Sequence, residues 1–139
     1  MKKVVVAGTF DILHLGHLAL FKQARRQGDH LTVIVSRDEN ARQIKGVKPL
    51  FTAAERKELL SHLDLIDEVR IGEKQSGLKI IKKIKPDIVL VGYDQDIDLV
   101  ALQQQLVNWG LKTRVIRARP YQPKIYKSGV IKNKILSHP

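Results

Sequence analysis

The sequence predicts an α/β fold: one doubly wound, five-stranded parallel sheet with helices on both faces. Three observations predict it. Five short apolar runs rich in Val, Ile and Leu recur along 139 residues, each suited to one buried strand. Segments with apolar residues at helical spacing separate them, the alternation of βαβ units. The length suits one sizeable core, so residues 1–139 are read as a single domain, and right-handed crossovers distribute the helices over both faces.

The elements follow in order. Residues 3–7 (KVVVA) form a first strand, and residues 18–27 a helix with Leu18, Leu20, Phe21 and Ala24 on one side and Gly28 after its end. Residues 31–35 are a second strand. Asp38 in SRDEN suits a helix cap. Thr52 caps a helix running to about residue 63, with Glu55 completing a capping box. Residues 68–71 make a third strand, 78–84 a helix closed by Pro86, and 87–91 a fourth strand ended by Gly92. A helix over 98–109 with Gly110 at its end, a fifth strand over 112–116 and a last helix over 128–136 complete the chain. In such sheets ligands sit beyond the carboxyl ends of the strands, where the strand order reverses, and the first strand borders that point.

Composition narrows the partners. Lys and Arg number 25 against 14 Asp and Glu, a net charge of +11, and the excess is uneven: from Gly110 onward there are eight Lys or Arg and no acid. An anionic partner is expected, whether nucleic acid, an acidic membrane surface or a phosphorylated small molecule, with solvation accounting for many of the lysines. The chain has no cysteine, hence no disulfide framework or thiolate metal site. No apolar stretch is long enough to span a membrane, and MKKVVVAGTFD does not read as a signal peptide. A cytoplasmic location with no membrane partner is expected.

The stretch GTFDILHLGHLAL, directly off the first strand, carries the chemistry. Gly8 and Thr9 can turn the chain and offer backbone N–H groups. A helix starting near Gly16 or His17 turns its positive end toward the same space, which makes an anion site. Gly16 permits close approach to the backbone. His14 and His17, three residues apart, can both reach one phosphate and donate to the charge that builds on it in a transition state. Two other readings compete: a zinc site of Asp11, His14 and His17, which lacks a further nearby His or Cys ligand and HExxH spacing, and histidines that merely cap or pack.

GTFD followed by HxGH after a single strand resembles the signature of the HxGH nucleotidylyltransferase superfamily, the cytidylyltransferase-like proteins with a Rossmann-like sheet. GDHLTVIVSRDE, IKGVKPLF, TAAERKELL, LIDEV and PDIVLVGYDQD extend the resemblance over nearly the whole chain. Class I aminoacyl-tRNA synthetases share HxGH but also carry a KMSKS loop, which this sequence lacks. The resemblance implies that a phosphorylated acceptor attacks the α-phosphate of a nucleoside triphosphate and pyrophosphate leaves. It implies that Gly8, Thr9, Phe10 and Gly16 line the nucleotide site and that His14 and His17 stabilise its phosphates. Lys45 and Lys48, in the flexible IKGVKP loop, match phosphate-gripping lysines. Arg56 either touches phosphate or lies on a helix surface. Asp94 matches an acid near the nucleotide. Asp11 orients the acceptor or a metal ion, or holds its loop through backbone N–H bonds. Magnesium is expected to arrive with the triphosphate, with no metal ligands from the protein.

The pattern breaks before the last helix. Small relatives carry a Ser/Thr-rich turn there, whereas KIYKSGVIKNKIL keeps only Ser128. The helix N-terminus remains, with Lys124, Lys127, Arg117 and Arg119 as candidate replacements for the lost hydroxyl. The GTFDILH loop, IKG-x-KP, G-x-DQ and the R-x-R-x-Y stretch at 117–121 resemble archaeal FAD synthases, which implies ATP and FMN as substrates. CTP with glycerol-3-phosphate is the alternative, and heptose-phosphate adenylyl transfer a third. A catalytically degenerate nucleotide- or RNA-binding module is the reading from another class. Only seven aromatics are present, however, against the interleaved aromatics and cations of single-strand binders. A homodimer is also implied by the resemblance.

Overall fold

In a computed structural model, which describes residues 1–74 and 78–138 and, of Ile44 and Lys45, the backbone alone, the five strands form one parallel sheet. They are β1 (Lys3–Gly8), β2 (His30–Val35), β3 (Glu68–Ile71), β4 (Ile88–Val91) and β5 (Arg114–Arg117), in the order β3-β2-β1-β4-β5. β1 is central: Val4, Val5 and Val6 pair with Leu31, Thr32 and Val33 of β2 on one side and with Ile88, Val89 and Leu90 of β4 on the other. The chain runs outward from β1 through β2 to β3, then returns to β4 beyond β1. The order therefore reverses between β1 and β4, beside the GTFD segment.

Alternation along the strands builds two cores, one on each face. Val4, Val6, Val33 and Val35 pack with Phe21 and Ala24 of α1 (Leu15–Gln27) and with Ala53 and Leu60 of α3 (Ala53–Leu60). Val5, Ile34 and Val89 face the other way, toward Ile80, Ile81 and Ile84 of α4 (Lys79–Ile84) and Leu102 and Leu106 of α5 (Leu99–Asn108). Each of these helices buries one apolar stripe against a sheet whose strands are apolar on both sides.

Several boundaries differ from expectation. α1 begins three residues before Leu18 because His14 caps it, a residue outside the usual Ser, Thr, Asp, Asn set. The segment after β2 forms an additional helix, α2 (Asp38–Lys45), closed by Gly46 in the left-handed conformation at φ 76°. Asp38 is its first residue rather than its cap, and Lys45 ends a helix instead of lying in a loop. α3 keeps the Thr52–Glu55 capping box but stops at Leu60. β4 starts at Ile88, since the Asp87 carboxylate accepts the Lys3 N–H (2.7 Å). β5 starts at Arg114, after Thr113 Oγ1 donates to the Pro86 carbonyl (2.6 Å). α5 is capped by Asp98, and α6 (Ser128–Ser137) follows Lys127. Among the described residues no helix is long and apolar enough to cross a membrane.

Candidate active site

The turn off β1 is fixed from below. The Gly8 carbonyl accepts the Ser36 N–H (2.9 Å), and Thr9 Oγ1 accepts from Ser36 Oγ (3.1 Å). Phe10 has φ 53°, which folds its ring back over Gly8, where an added Cβ would come within 2.8 Å of the ring. That ring is buried against Phe21 and meets His17 edge-on at 5.3 Å between centroids. The Phe10 side chain therefore belongs to the core, where an apolar ring gains more than beside an anion, and only its backbone faces the turn. The Asp11 carboxylate accepts the N–H groups of Leu50 (2.8 Å) and Phe51 (3.0 Å), which anchors the segment leading into α3.

The two histidines form a reciprocal cap. His14 Nδ1 accepts the Gly16 N–H at 3.0 Å, and His17 Nδ1 accepts the His14 N–H at 3.3 Å. The rings stack, with centroids 3.8 Å apart. Each Nδ1 accepts, so the network assigns both neutral rings their proton on Nε2. The caps thus hold the helix start through Nδ1 and put the ring proton on Nε2, at the far edge of each ring. Gly16 is required here, since a Cβ would lie 2.7 Å from the His14 ring and 2.8 Å from the Tyr126 carbonyl oxygen. The space freed by this glycine is filled by those protein groups rather than kept for a ligand.

The Tyr126 contact brings the start of α6 onto the start of α1. Lys127 is the N-cap of α6 and makes no side-chain cap bond; Ser128 is its first residue. The positive ends of two helices, of thirteen and ten residues, therefore converge near the imidazoles. Lys134, from the second turn of α6, lines a pocket with His14 and His17. Asp94, in the turn after β4, is close enough for its charge to act on His14.

Other expected residues serve the scaffold. Arg56 is not a surface arginine, and its guanidinium is engaged by the protein. At 2% exposure it donates to the carbonyls of Thr9 (2.8 Å) and Phe51 (3.0 Å) and pairs with Asp38 (2.8 Å). Arg117 donates to the carbonyls of Gly92, Gln95 and Ile97 (3.1, 2.7 and 2.7 Å), so it shapes the turn that carries Asp94. Arg119 is exposed and its backbone is held by Gln23 in both directions (2.9 Å each). Lys48 is exposed in the segment before Leu50, and the Lys45 side chain lies outside the described residues. Gln95, which the sequence reading did not single out, bridges the diverging strands: Nε2 donates to the Ala7 carbonyl (3.0 Å) and Oε1 accepts the Gly92 N–H (2.7 Å). The Asp11–His14–His17 zinc reading does not fit, since Asp11 is turned onto backbone N–H groups. Among the described residues no three His, Cys, Asp or Glu are placed to hold a metal ion.

Burial lowers the His14 pKa from the ordinary 6.5, and the Asp94 charge opposes this only in part. The neutral, Nε2–H form therefore persists below the pH at which a free imidazole charges. In the unfolded chain the ring takes up a proton first. His14 thus contributes stability that is fully present above the unfolded value and declines as pH falls through the folded one. Unfolding midpoints from about pH 8 to about pH 5 are expected to fall for the native chain on the acid side, and to fall less for His14→Asn. Equal slopes would show that His14 titrates as if unfolded.

A five-stranded parallel sheet with imidazole donors and helix N-termini at its reversal point defines a phosphate-handling transferase site. Residues 5–136 match the cytidylyltransferase-like family model, and the chain belongs to that family. It is a nucleotidyltransferase. Among individual relatives, the FAD synthase of Pyrococcus abyssi is 44% identical over 126 residues, spanning 90% of this chain and 82% of that protein. The FAD synthase of Thermoplasma volcanium is 35% identical over 136 residues, 98% of this chain and 95% of that one. A crystal structure described as the lipopolysaccharide core biosynthesis protein from Thermoplasma volcanium GSS1 superposes with a TM-score of 0.85 at 37% identity, covering 88% of this chain and 99% of that one. Pantoate-beta-alanine ligase from Francisella tularensis shares the fold alone, with a TM-score of 0.60 at 18% identity over 99% of this chain and 70% of that one.

Proposed function

We propose that residues 1–139 are a single nucleotidyltransferase domain that transfers AMP from magnesium-bound ATP to FMN in the cytoplasm, giving FAD and pyrophosphate. An oxygen of the FMN phosphate attacks the α-phosphorus of ATP. A new P–O bond forms as the bond to the bridging oxygen breaks, and pyrophosphate carries away that electron pair. The protein's part is in-line positioning and charge stabilisation. His14 and His17 donate from Nε2 to oxygens on which charge grows; the N-termini of α1 and α6, with Ser128 and Lys127, hold the triphosphate. The backbone of Gly8, Thr9 and Phe10 and the Asp94 turn border the nucleotide, Lys48 approaches from the segment after α2, and Lys45 keeps the phosphate-gripping role that the resemblance implies. Magnesium is part of the substrate.

The observation that carries the substrate pair is the match, over most of both chains, to proteins named FAD synthase. The neighbour described as a lipopolysaccharide core biosynthesis protein favours a second reading, adenylyl transfer to a sugar phosphate. The test combines the protein and magnesium with ATP or CTP and with FMN, glycerol-3-phosphate or a heptose phosphate, following pyrophosphate and FAD. Release is expected with ATP and FMN, one FAD per pyrophosphate. Release only with CTP and glycerol-3-phosphate, or only with the sugar phosphate, would replace the reading. No release from any pair, with salt-sensitive RNA binding, would remove the enzyme from it. A homodimer belongs to the same proposal, and sedimentation of the active protein tests it.

A further inference from the structure

We propose that the apolar pocket beside the two histidines seats the flat isoalloxazine ring of FMN. The inference rests on the reading of the chain as an FMN adenylyltransferase and assigns a place to the acceptor. The cavity measures about 480 Å³, within the range of small-molecule sites. Its walls are dominated by aliphatic side chains: Leu15 and Leu18 from α1, Leu63 from the turn after α3, and Ile125 and Ile131 from the α6 side. His14 and His17 form part of the wall, with Lys134 as the one lysine or arginine there among the described residues.

This lining selects among the reactants. A triphosphate needs N–H groups and cations along its length, and a small phosphorylated polyol needs partners for its hydroxyls. A tricyclic ring with two large apolar faces gains by covering aliphatic walls, while its phosphate, on a flexible chain, turns back to the imidazole Nε2 donors. Leu15 and Ile125 are 46% and 51% exposed without such a ring, apolar surface whose burial favours binding. The reversal point between β1 and β4, bordered by Asp94 and Gln95, is the expected place for the ATP nucleoside. The aliphatic pocket, between α1, the turn after α3 and α6, is then left to the other reactant. Imidazoles reached from both regions would sit at the junction where the new bond forms.

The test uses FMN alone, titrated by its fluorescence, and steady-state kinetics with ATP. Ile131→Trp narrows the pocket from α6, and Ile125→Asp places a carboxylate at its half-exposed rim, so neither depends on a side chain of the two main cores. Each is expected to weaken FMN binding and raise the KM for FMN about tenfold or more, with the KM for ATP moving less than about twofold. Unchanged FMN binding in both folded variants would overturn the assignment while leaving FAD formation standing. A rise in the KM for ATP instead would assign the pocket to adenine. A wild-type protein that neither binds FMN nor forms FAD would overturn the functional reading itself.

Discussion

His14→Asn is expected to lower FAD formation about 100- to 1,000-fold, the usual consequence of deleting one transition-state hydrogen-bond donor, while leaving the protein folded. The two effects separate because the two ring nitrogens have separate tasks. Asparagine places its Oδ1 near the position of the imidazole Nδ1 and can still accept the Gly16 N–H now held at 3.0 Å. Asparagine is also among the best N-cap residues, so the folding free energy should change by less than about 1 kcal/mol. What asparagine lacks is any group at the position of Nε2. Turnover and urea midpoint measured on one preparation decide the matter. A large fall in turnover at constant midpoint assigns the loss to the donor; near-normal turnover would make His14 a cap and nothing more.

Arg56→Met should act in the opposite way, destabilising the protein by about 3 kcal/mol, in line with buried pairs that lose one partner. The side chain is 1% exposed while Asp38 keeps 34%, so water can partly solvate the orphaned carboxylate, which holds the cost near the lower end of that range. Two carbonyls, those of Thr9 and Phe51, also lose their donor. The Thr9 carbonyl belongs to the turn that presents the histidines, so the remaining folded fraction should also have a weakened active site. Chemical denaturation checks the stability; a midpoint shift worth less than about 1 kcal/mol would show that water replaces the guanidinium without cost.

The sheet and the central motif were legible because their signals are local. β3 falls on the expected residues 68–71, and the Thr52–Glu55 cap is present, since each depends on residues within four positions of one another. His14, Gly16 and His17 could be grouped for the same reason. The apolar stripe of α1 places its start at Leu18, whereas the Gly16 or His17 start read from the anion site lies within two residues of Leu15; the imidazole cap itself lies outside the usual cap residues. α2 was read as a cap and a loop because DENARQIK is so polar that it shows no apolar stripe; among its described side chains Ala41 is buried. Arg56 could not be placed from sequence: its partners are backbone carbonyls and a carboxylate 5 to 47 residues away, which only the tertiary fold assembles. Lys134 was hidden similarly among the basic residues of the C-terminal segment, and only the fold sets it in a pocket with His14 and His17. Phe10 divides its two parts: its ring is core, packed on Phe21 and His17, which the motif alone does not reveal.

The central claim is that two neutral imidazoles, each held through Nδ1, offer Nε2–H to phosphate. Histidine-ring nitrogen NMR at neutral pH measures this directly, before and after addition of magnesium-ATP. His14 and His17 are expected as Nε2–H tautomers in the free protein, with their Nε2 resonances shifting on addition of the nucleotide. A proton on Nδ1 of either ring, or Nε2 resonances indifferent to saturating magnesium-ATP, would contradict it.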